Sequence, residues 1–149
     1  MKSNISSNLF SLILLIFVYI FNSYNCDIKI KDPKKFISDV VIDFNGDFKY
    51  ILLEMVNKTN LNDFKYIVRG FQKFDYHKKI YNDFMINNVY KYPDIYMNFT
   101  FNILGGGRIS FESNNIKIYG ASGVYGKANH KITSNLIKLN FPSYNVKAY

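Results

Sequence analysis

The stretch NILGGGRISFES, residues Asn102 to Ser113, places three consecutive glycines directly before an arginine. β-Branched and aromatic residues on both sides predict strands, and Gly105–Gly107 would allow a bend or bulge between them. A phosphate-binding loop of the Walker type would need a Lys-Ser/Thr pair followed by a helix, whereas Arg108 and a strand follow here. We therefore predict a bend that presents Arg108.

Strands dominate the rest of the sequence. The turn pair Asn45-Gly46 lies between two apolar runs and predicts a hairpin. Asn114-Asn115 lies between two further runs and predicts a second hairpin. The predicted strands are Phe36–Phe44, Phe48–Val56, Phe64–Phe71, Ile95–Leu104, Arg108–Ser113, Ile116–Ser122 and the C-terminal YNVKAY.

Two segments have helical periodicity instead. Apolar residues recur at spacings of three and four in residues 75–91, which predicts a helix with Asp75 as its N-cap. A second, shorter helix is predicted from Thr133 to Phe141, because Thr133 can cap it and Pro142 follows. Strands and helices together predict a single compact α/β (α+β) domain with a mixed or largely antiparallel sheet and two helices packed on it.

The N-terminal 26 residues differ from the rest. Lys2 precedes the apolar run Asn8–Phe21, which has the length of a signal-peptide core and is too short for a comfortable membrane span. We expect residues 1–26 to direct the chain into the secretory pathway and residues 27–149 to form the domain, with no stable membrane association once the leader is removed. An organelle reached through a two-part leader is the alternative. Glycosylation of the sequons at Asn57 and Asn98 stays open.

Composition narrows the classes of partner. The formal net charge is +8, which suggests acidic or phosphorylated partners. The basic residues form no single stripe, so nucleic acid is not expected. The single cysteine, Cys26, excludes an intramolecular disulfide, and the two histidines match no zinc motif, so we expect no metal and no cofactor. The protein is expected to be a monomer.

His77 is the candidate for chemistry. It falls in the first turn of the longer predicted helix, where free N–H groups and the helix dipole attract an anion. An imidazole also exchanges a proton near neutral pH. A phosphoryl-transfer site and a capping or surface histidine are both compatible with this position.

Five blocks of the chain resemble the protein phosphohistidine phosphatase, or Janus, family in order and spacing. They are VVIDFNGDFKYILL (Val40–Leu53), IVRGFQKFDYHKKIYND (Ile67–Asp83), LGGGRISFES (Leu104–Ser113), IYGASGVYGKANHKIT (Ile118–Thr133) and IKLNFPSYNV (Ile137–Val146). The resemblance implies an approximately six-stranded sheet flanked by two helices. It also implies metal-independent removal of phosphate from phosphohistidine in proteins or peptides, with inorganic phosphate as product and phospholysine as a further substrate to be tested.

The resemblance also implies roles for particular residues. His77 matches the essential histidine, as nucleophile or general base, and Lys49 matches a lysine that contacts the phosphate. Ser122, Gly123 and Val124 match a phosphate-binding loop. Arg108 resembles a basic residue near the substrate.

The chain departs from the family pattern beside the essential histidine. Lys78 and Lys79 stand where small or acidic residues are more usual, so the mouth of the site is expected to be more basic, with Lys78 near the phosphate. The apolar leader is also unusual for a family regarded as intracellular. A noncatalytic secreted module that binds phosphorylated or other anionic ligands in the same cleft is the alternative function.

Overall fold

The computed structural model describes residues 30–149, so the predicted leader, residues 1–26, lies outside the described residues. Six strands, four α-helices and one π-helical segment occur in residues 30–149. In chain order they are α1 (Pro33–Phe36), β1 (Val40–Ile42), β2 (Gly46–Asn57), β3 (Phe64–Phe71), α2 (His77–Phe84), the π-helix Met85–Val89, α3 (Pro93–Asn98), β4 (Phe99–Glu112), β5 (Asn115–Tyr119), α4 (His130–Asn140) and β6 (Asn145–Ala148).

The strands form one mixed sheet in the order β1-β3-β2-β4-β5-β6. The three inner pairings are antiparallel, and the two edge pairings, β1 with β3 and β5 with β6, are parallel. The predicted α+β class with about six strands is confirmed. No helix within residues 30–149 is long and apolar enough to cross a membrane.

The predicted hairpin between the first two strands is wrong. Asn45 and Gly46 do turn, with φ of 69° and 85°, but β1 pairs with β3 rather than with β2. Strand β2 is buried on both faces over most of its length, so its neighbours are the long strands β3 and β4. The three-residue strand β1 can occupy only the edge.

The other predicted strands agree more closely with the structure. Strand β3 has the predicted bounds, and β4 and β5 form the predicted second hairpin. The predicted strand Ile95–Leu104 is wrong at its start, because Pro93 occupies the first turn of helix α3 and the strand begins only at Phe99. The glycines do not end this strand, since β4 runs through them to Glu112.

Both predicted helices occur, but both predicted caps are wrong. Tyr76, not Asp75, is the N-cap of α2, and within the described residues no side chain caps that helix start. Helix α4 begins at His130 instead of Thr133, because the side chain of Asn129 accepts hydrogen bonds from the N–H groups of Lys131 and Ile132. Each long helix therefore begins with a histidine.

The sheet separates two apolar cores. Side chains of β2 alternate between its faces, so Ile51 packs under helix α2 with Ile80 and Phe84, whereas Tyr50 packs under helix α4 with Ile137. The two long helices therefore cover opposite faces of the sheet. Their N-terminal histidines approach the same strand, β4, from opposite sides.

Strand β4 is bulged where the glycines begin. Leu52 pairs with Gly105 but Leu53 pairs with Ile103, so one extra residue of β4 lies opposite β2. Gly105 has φ +133°, and a Cβ there would lie 2.6 Å from the backbone N of Ala128. The predicted irregularity at the glycines is confirmed, and it allows the loop before α4 to approach the strand.

Candidate active site

His77 is the first residue of helix α2, and its side chain is buried against strand β4. Its Nε2 lies 3.0 Å from the carbonyl oxygen of Gly107. A Cβ on Gly106 would lie only 2.7 Å from Cδ2 of the same ring. The imidazole therefore occupies space that exists because residue 106 has no side chain.

The hydrogen bond to Gly107 fixes the tautomer of the neutral ring. A carbonyl oxygen can only accept, so Nε2 of His77 must carry the proton and donate it. Nδ1 is then the ring nitrogen with the free lone pair. That nitrogen is able to take a proton or to attack an electrophile.

Burial lowers the pKa of His77 below its usual value of 6.5, and the positive charges of Lys49 and Arg108 lower this pKa further. The hydrogen bond to Gly107 opposes the shift without reversing it. The imidazole is consequently neutral at neutral pH, which is the state that a base or nucleophile requires.

Lys49 shares a cavity with His77. It projects from the face of β2 that also bears Ile51, which is the face covered by helix α2. The cavity has a volume of about 530 Å³. Its lining residues are Lys49, Tyr76, His77, Lys78, Lys79, Asn82, Ala121, Gly123 and Val124. Five of the predicted site residues, His77, Lys49, Lys78, Gly123 and Val124, are thus brought together.

Ser122 organises the loop on the other side of this cavity. Its buried Oγ accepts hydrogen bonds from the N–H groups of Val124 (3.3 Å) and Tyr125 (3.1 Å). Backbone bonds in both directions between Ser122 and Gly126 close the loop. Ser122 lies behind the cavity wall that Gly123 and Val124 form.

Arg108 lies near the cavity but is held by other groups. It is directly opposite Lys49 in the β2–β4 register, so both side chains are on the α2 face. Its Nε donates to Oδ1 of Asp47 at 2.6 Å, its Nη2 donates to the same oxygen, and the hydroxyl of Tyr119 donates to Oδ2. The structure thus brings Arg108 to the predicted side of the sheet and pairs it with a carboxylate.

His130 occupies the corresponding place on the opposite face. Its Nδ1 lies 3.4 Å from the hydroxyl of Tyr50, and burial raises the pKa of Tyr50 to about 12, so the phenol keeps its proton. Among the residues that the structure describes, Nε2 of His130 is buried without a hydrogen-bond partner. Burial and the charge of Lys127 lower the pKa of this histidine.

Comparison with known proteins places this chain in a family. The Janus/Ocnus family model matches residues 34–145, which include His77, Lys49 and the loop after β5. The chain belongs to the Janus/Ocnus family. It is 39% identical over 116 residues to the 14 kDa phosphohistidine phosphatase of Sus scrofa, covering 74% of this chain and 87% of that protein.

Two further relatives are similar over most of their length. The 14 kDa phosphohistidine phosphatase of Homo sapiens is 38% identical over 116 residues, covering 74% of this chain and 88% of its own length. The sex-regulated protein janus-A of Drosophila pseudoobscura pseudoobscura is 31% identical over 113 residues, covering 72% of each chain. The resemblance found in the sequence is therefore confirmed.

Sequence reasoning missed Asn82 and Asp47 at this candidate site. Asn82 lines the cavity one helical turn after Lys78, a spacing of four that could have identified it. Asp47 was missed because its role depends on Arg108 from another strand, and no local pattern in the sequence reports that pairing. Within residues 30–149, no group of three or more His, Cys, Asp or Glu side chains is arranged to hold a metal ion.

Proposed function

We propose that this protein hydrolyses phosphohistidine in proteins or peptides and releases inorganic phosphate, with phospholysine as a further substrate to be tested. The observation that carries the proposal is the bond from His77 Nε2 to Gly107, which leaves Nδ1 with a free lone pair beside a cationic cavity. The names of the porcine and human relatives support the same activity.

The phosphoryl group would bind between Lys49 and the loop of Ser122, Gly123 and Val124. Lys49 supplies a positive charge. The N–H groups of Ser122 and Val124 are already bonded within the loop, so the donors proposed for the phosphoryl group are the N–H of Gly123 and the proton of the Ser122 hydroxyl. Such preorganised donors stabilise the charge on the transferring phosphoryl oxygens. Lys78 extends this positive surface at the start of helix α2.

Two routes use the free Nδ1 of His77. In the first, Nδ1 attacks phosphorus, the phosphorus–nitrogen bond of the substrate breaks, and the departing histidine takes up a proton from solvent. Water then hydrolyses phospho-His77. In the second, Nδ1 takes a proton from a water that attacks phosphorus directly, and the substrate nitrogen leaves with a proton from solvent. His77 then returns the proton that it took to solvent. Quenching during turnover with alkali and detergent, which preserve the acid-labile phosphorus–nitrogen bond, would trap phospho-His77 only on the first route.

The activity is proposed to need no metal or cofactor, because the phosphoryl charge can be met by Lys49 and the loop. The test is phosphate release from a phosphohistidine peptide by the segment from Asp27 onward, with and without EDTA. We expect equal rates. Loss of activity on chelation that one metal restores would overturn metal independence while leaving the hydrolase assignment intact.

The assay also distinguishes the alternative function. A noncatalytic module that binds anions in this cleft would bind the peptide without releasing phosphate. The protein is proposed to act as a monomer, with phosphohistidine-containing proteins as its partners rather than nucleic acid or membranes. Light scattering of the purified protein checks the monomeric state.

The cellular compartment of the protein would be determined by residues 1–26. We propose that this leader sends the protein into the secretory pathway, with a two-part organellar leader as the alternative. A C-terminal fluorescent tag, imaged with and without residues 1–26, tests the proposal. A diffuse cytosolic signal from the full chain would contradict both destinations.

A further inference from the structure

The mouth of the His77 cavity carries several cationic side chains. Lys49, Lys78 and Lys79 all line it, and no carboxylate is among its lining residues in the described part of the chain. Across residues 30–149, none of these three amines lies within 4.0 Å of a carboxylate. Their charges are therefore available to a ligand.

Lysines that line a second cavity are paired with carboxylates, unlike those beside His77. This second cavity lies beside helix α1 and has a volume of about 620 Å³. There, however, Lys34 is paired with Asp63 and Lys65 with Asp39, and Asp39 itself lines the cavity. Those two lysines are paired with carboxylates, whereas the lysines beside His77 are not.

The position of Lys78 and Lys79 works against the stability of the helix. Both lie in the first turn of α2, which contains no acidic residue. Positive charges at a helix N-terminus oppose the helix dipole. The two lysines thus concentrate positive charge at the cavity mouth and do not stabilise the helix through its dipole.

The same mouth has an apolar part. Val124 is 74% exposed and Tyr76 is 65% exposed, and both line the cavity. The amine of Lys79 lies 5.6 Å from the centre of the Tyr76 ring. A peptide crossing the mouth would therefore meet apolar surface for its apolar side chains and cations for its acidic side chains.

Resting on the proposed function, we propose that Lys78 and Lys79 select substrates in which acidic residues flank the phosphohistidine. The preferred substrate carries a carboxylate within two residues of it. Two residues of extended peptide span about 7 Å. This distance is within reach of lysines that immediately follow His77.

The test compares two peptides that differ only in having Asp or Asn at the positions flanking phosphohistidine. We expect kcat/KM to be about three- to tenfold higher for the Asp peptide, as for a few exposed ion pairs. The preference should largely disappear in 1 M salt, where the screening length is about 3 Å. Lys78→Ala combined with Lys79→Ala should bring the ratio of the two kcat/KM values close to one.

Lys138→Ala is the matched control, because Lys138 is exposed on helix α4, on the opposite face of the sheet. It should retain the full preference. Equal kcat/KM values for the two peptides with the wild-type chain would overturn the inference but not the proposed hydrolysis. If neither peptide is hydrolysed, the proposed function fails, and titration with the same peptides carrying a stable phosphohistidine analogue decides the inference: tighter binding of the Asp peptide supports it, and equal binding overturns it.

Discussion

His77 and His130 lie on opposite faces of strand β4, where one imidazole packs against Gly106 and the other against Gly107. Each is the first residue of a helix, each is buried, and burial lowers the pKa of each. Only His77 lines the cavity that contains Lys49. The two histidines therefore have similar surroundings but different access to a substrate.

Replacement of each histidine should separate chemistry from packing. His77→Ala should lower kcat by about 10³-fold or more, because a base or nucleophile that acts in the transition state is not replaced by its neighbours. His130→Ala should lower activity far less, through packing around Tyr50. Steady-state kinetics with a phosphohistidine peptide measure both, and circular dichroism checks that both variants fold.

Equal inactivation by the two substitutions would point to a histidine relay across the strand. Full activity of His77→Ala would remove the proposed mechanism altogether.

Lys49→Ala should weaken substrate binding. The substitution removes a positive charge from the cavity, and a charge-assisted hydrogen bond to the phosphoryl group is worth about 10- to 100-fold in kcat/KM. Most of this loss should appear as a higher KM. Lys138→Ala serves as the control for general loss of positive charge, and an unchanged KM in Lys49→Ala would remove Lys49 from the phosphate site.

Gly106→Ala should damage both the fold and the site. The new Cβ would lie 2.7 Å from the His77 ring and 2.8 Å from the carbonyl oxygen of Tyr50. Overpacking of this kind costs about 1–3 kcal/mol in the free energy of unfolding. Gly123→Ala is the stability control, because within the described chain a Cβ there meets nothing within 4 Å. Urea denaturation of both variants measures the difference.

The pH dependence of activity should report the charges near His77. Because burial, Lys49 and Arg108 lower the pKa of His77, kcat/KM should fall only as the pH drops below 6.5 and the ring becomes protonated. Arg108→Ala removes one of the charges that lower this pKa. Its acid limb should therefore move to higher pH, and a shift to lower pH would contradict the charge argument.

Asp47→Asn should increase the affinity for phosphate. Asp47 accepts hydrogen bonds from Arg108 and Tyr119, so the guanidinium is engaged when the site is empty. Loss of the carboxylate frees Arg108 for an anionic substrate. KM should fall by about two- to fivefold, in proportion to the modest strength of an exposed ion pair. Asp47→Asn in an Arg108→Ala background should have no such effect.

Much of the fold could be predicted from local patterns. Strand β3 and the hairpin of β4 and β5 follow from alternation and turn residues. The pairing of β1 with β3 could not be predicted in this way. It depends on β2 being buried on both faces between two long strands, and this burial arises only in the assembled sheet.

For the candidate site, the identity of the main residue was predictable but its geometry was not. The motif around His77 identified the histidine, and the helix start that holds it was placed within two residues. The orientation of its ring was not predictable, since it depends on the carbonyl of Gly107, thirty residues away. The engagement of Arg108 by Asp47 likewise arises only when β2 and β4 are aligned.

At Gly106 and Gly107 no side chain separates the two imidazoles, so only the backbone of β4 lies between them. One Cα hydrogen of Gly107 faces Tyr50 and His130, whereas its carbonyl oxygen accepts the hydrogen bond from His77 Nε2. Any displacement of this peptide by repacking on the His130 side must therefore move the acceptor that sets the tautomer on the other side. The Gly107 peptide is thus common to both faces of the sheet. A substitution in the core beneath α4 should therefore alter the protonation of His77 without changing any residue that lines the cavity.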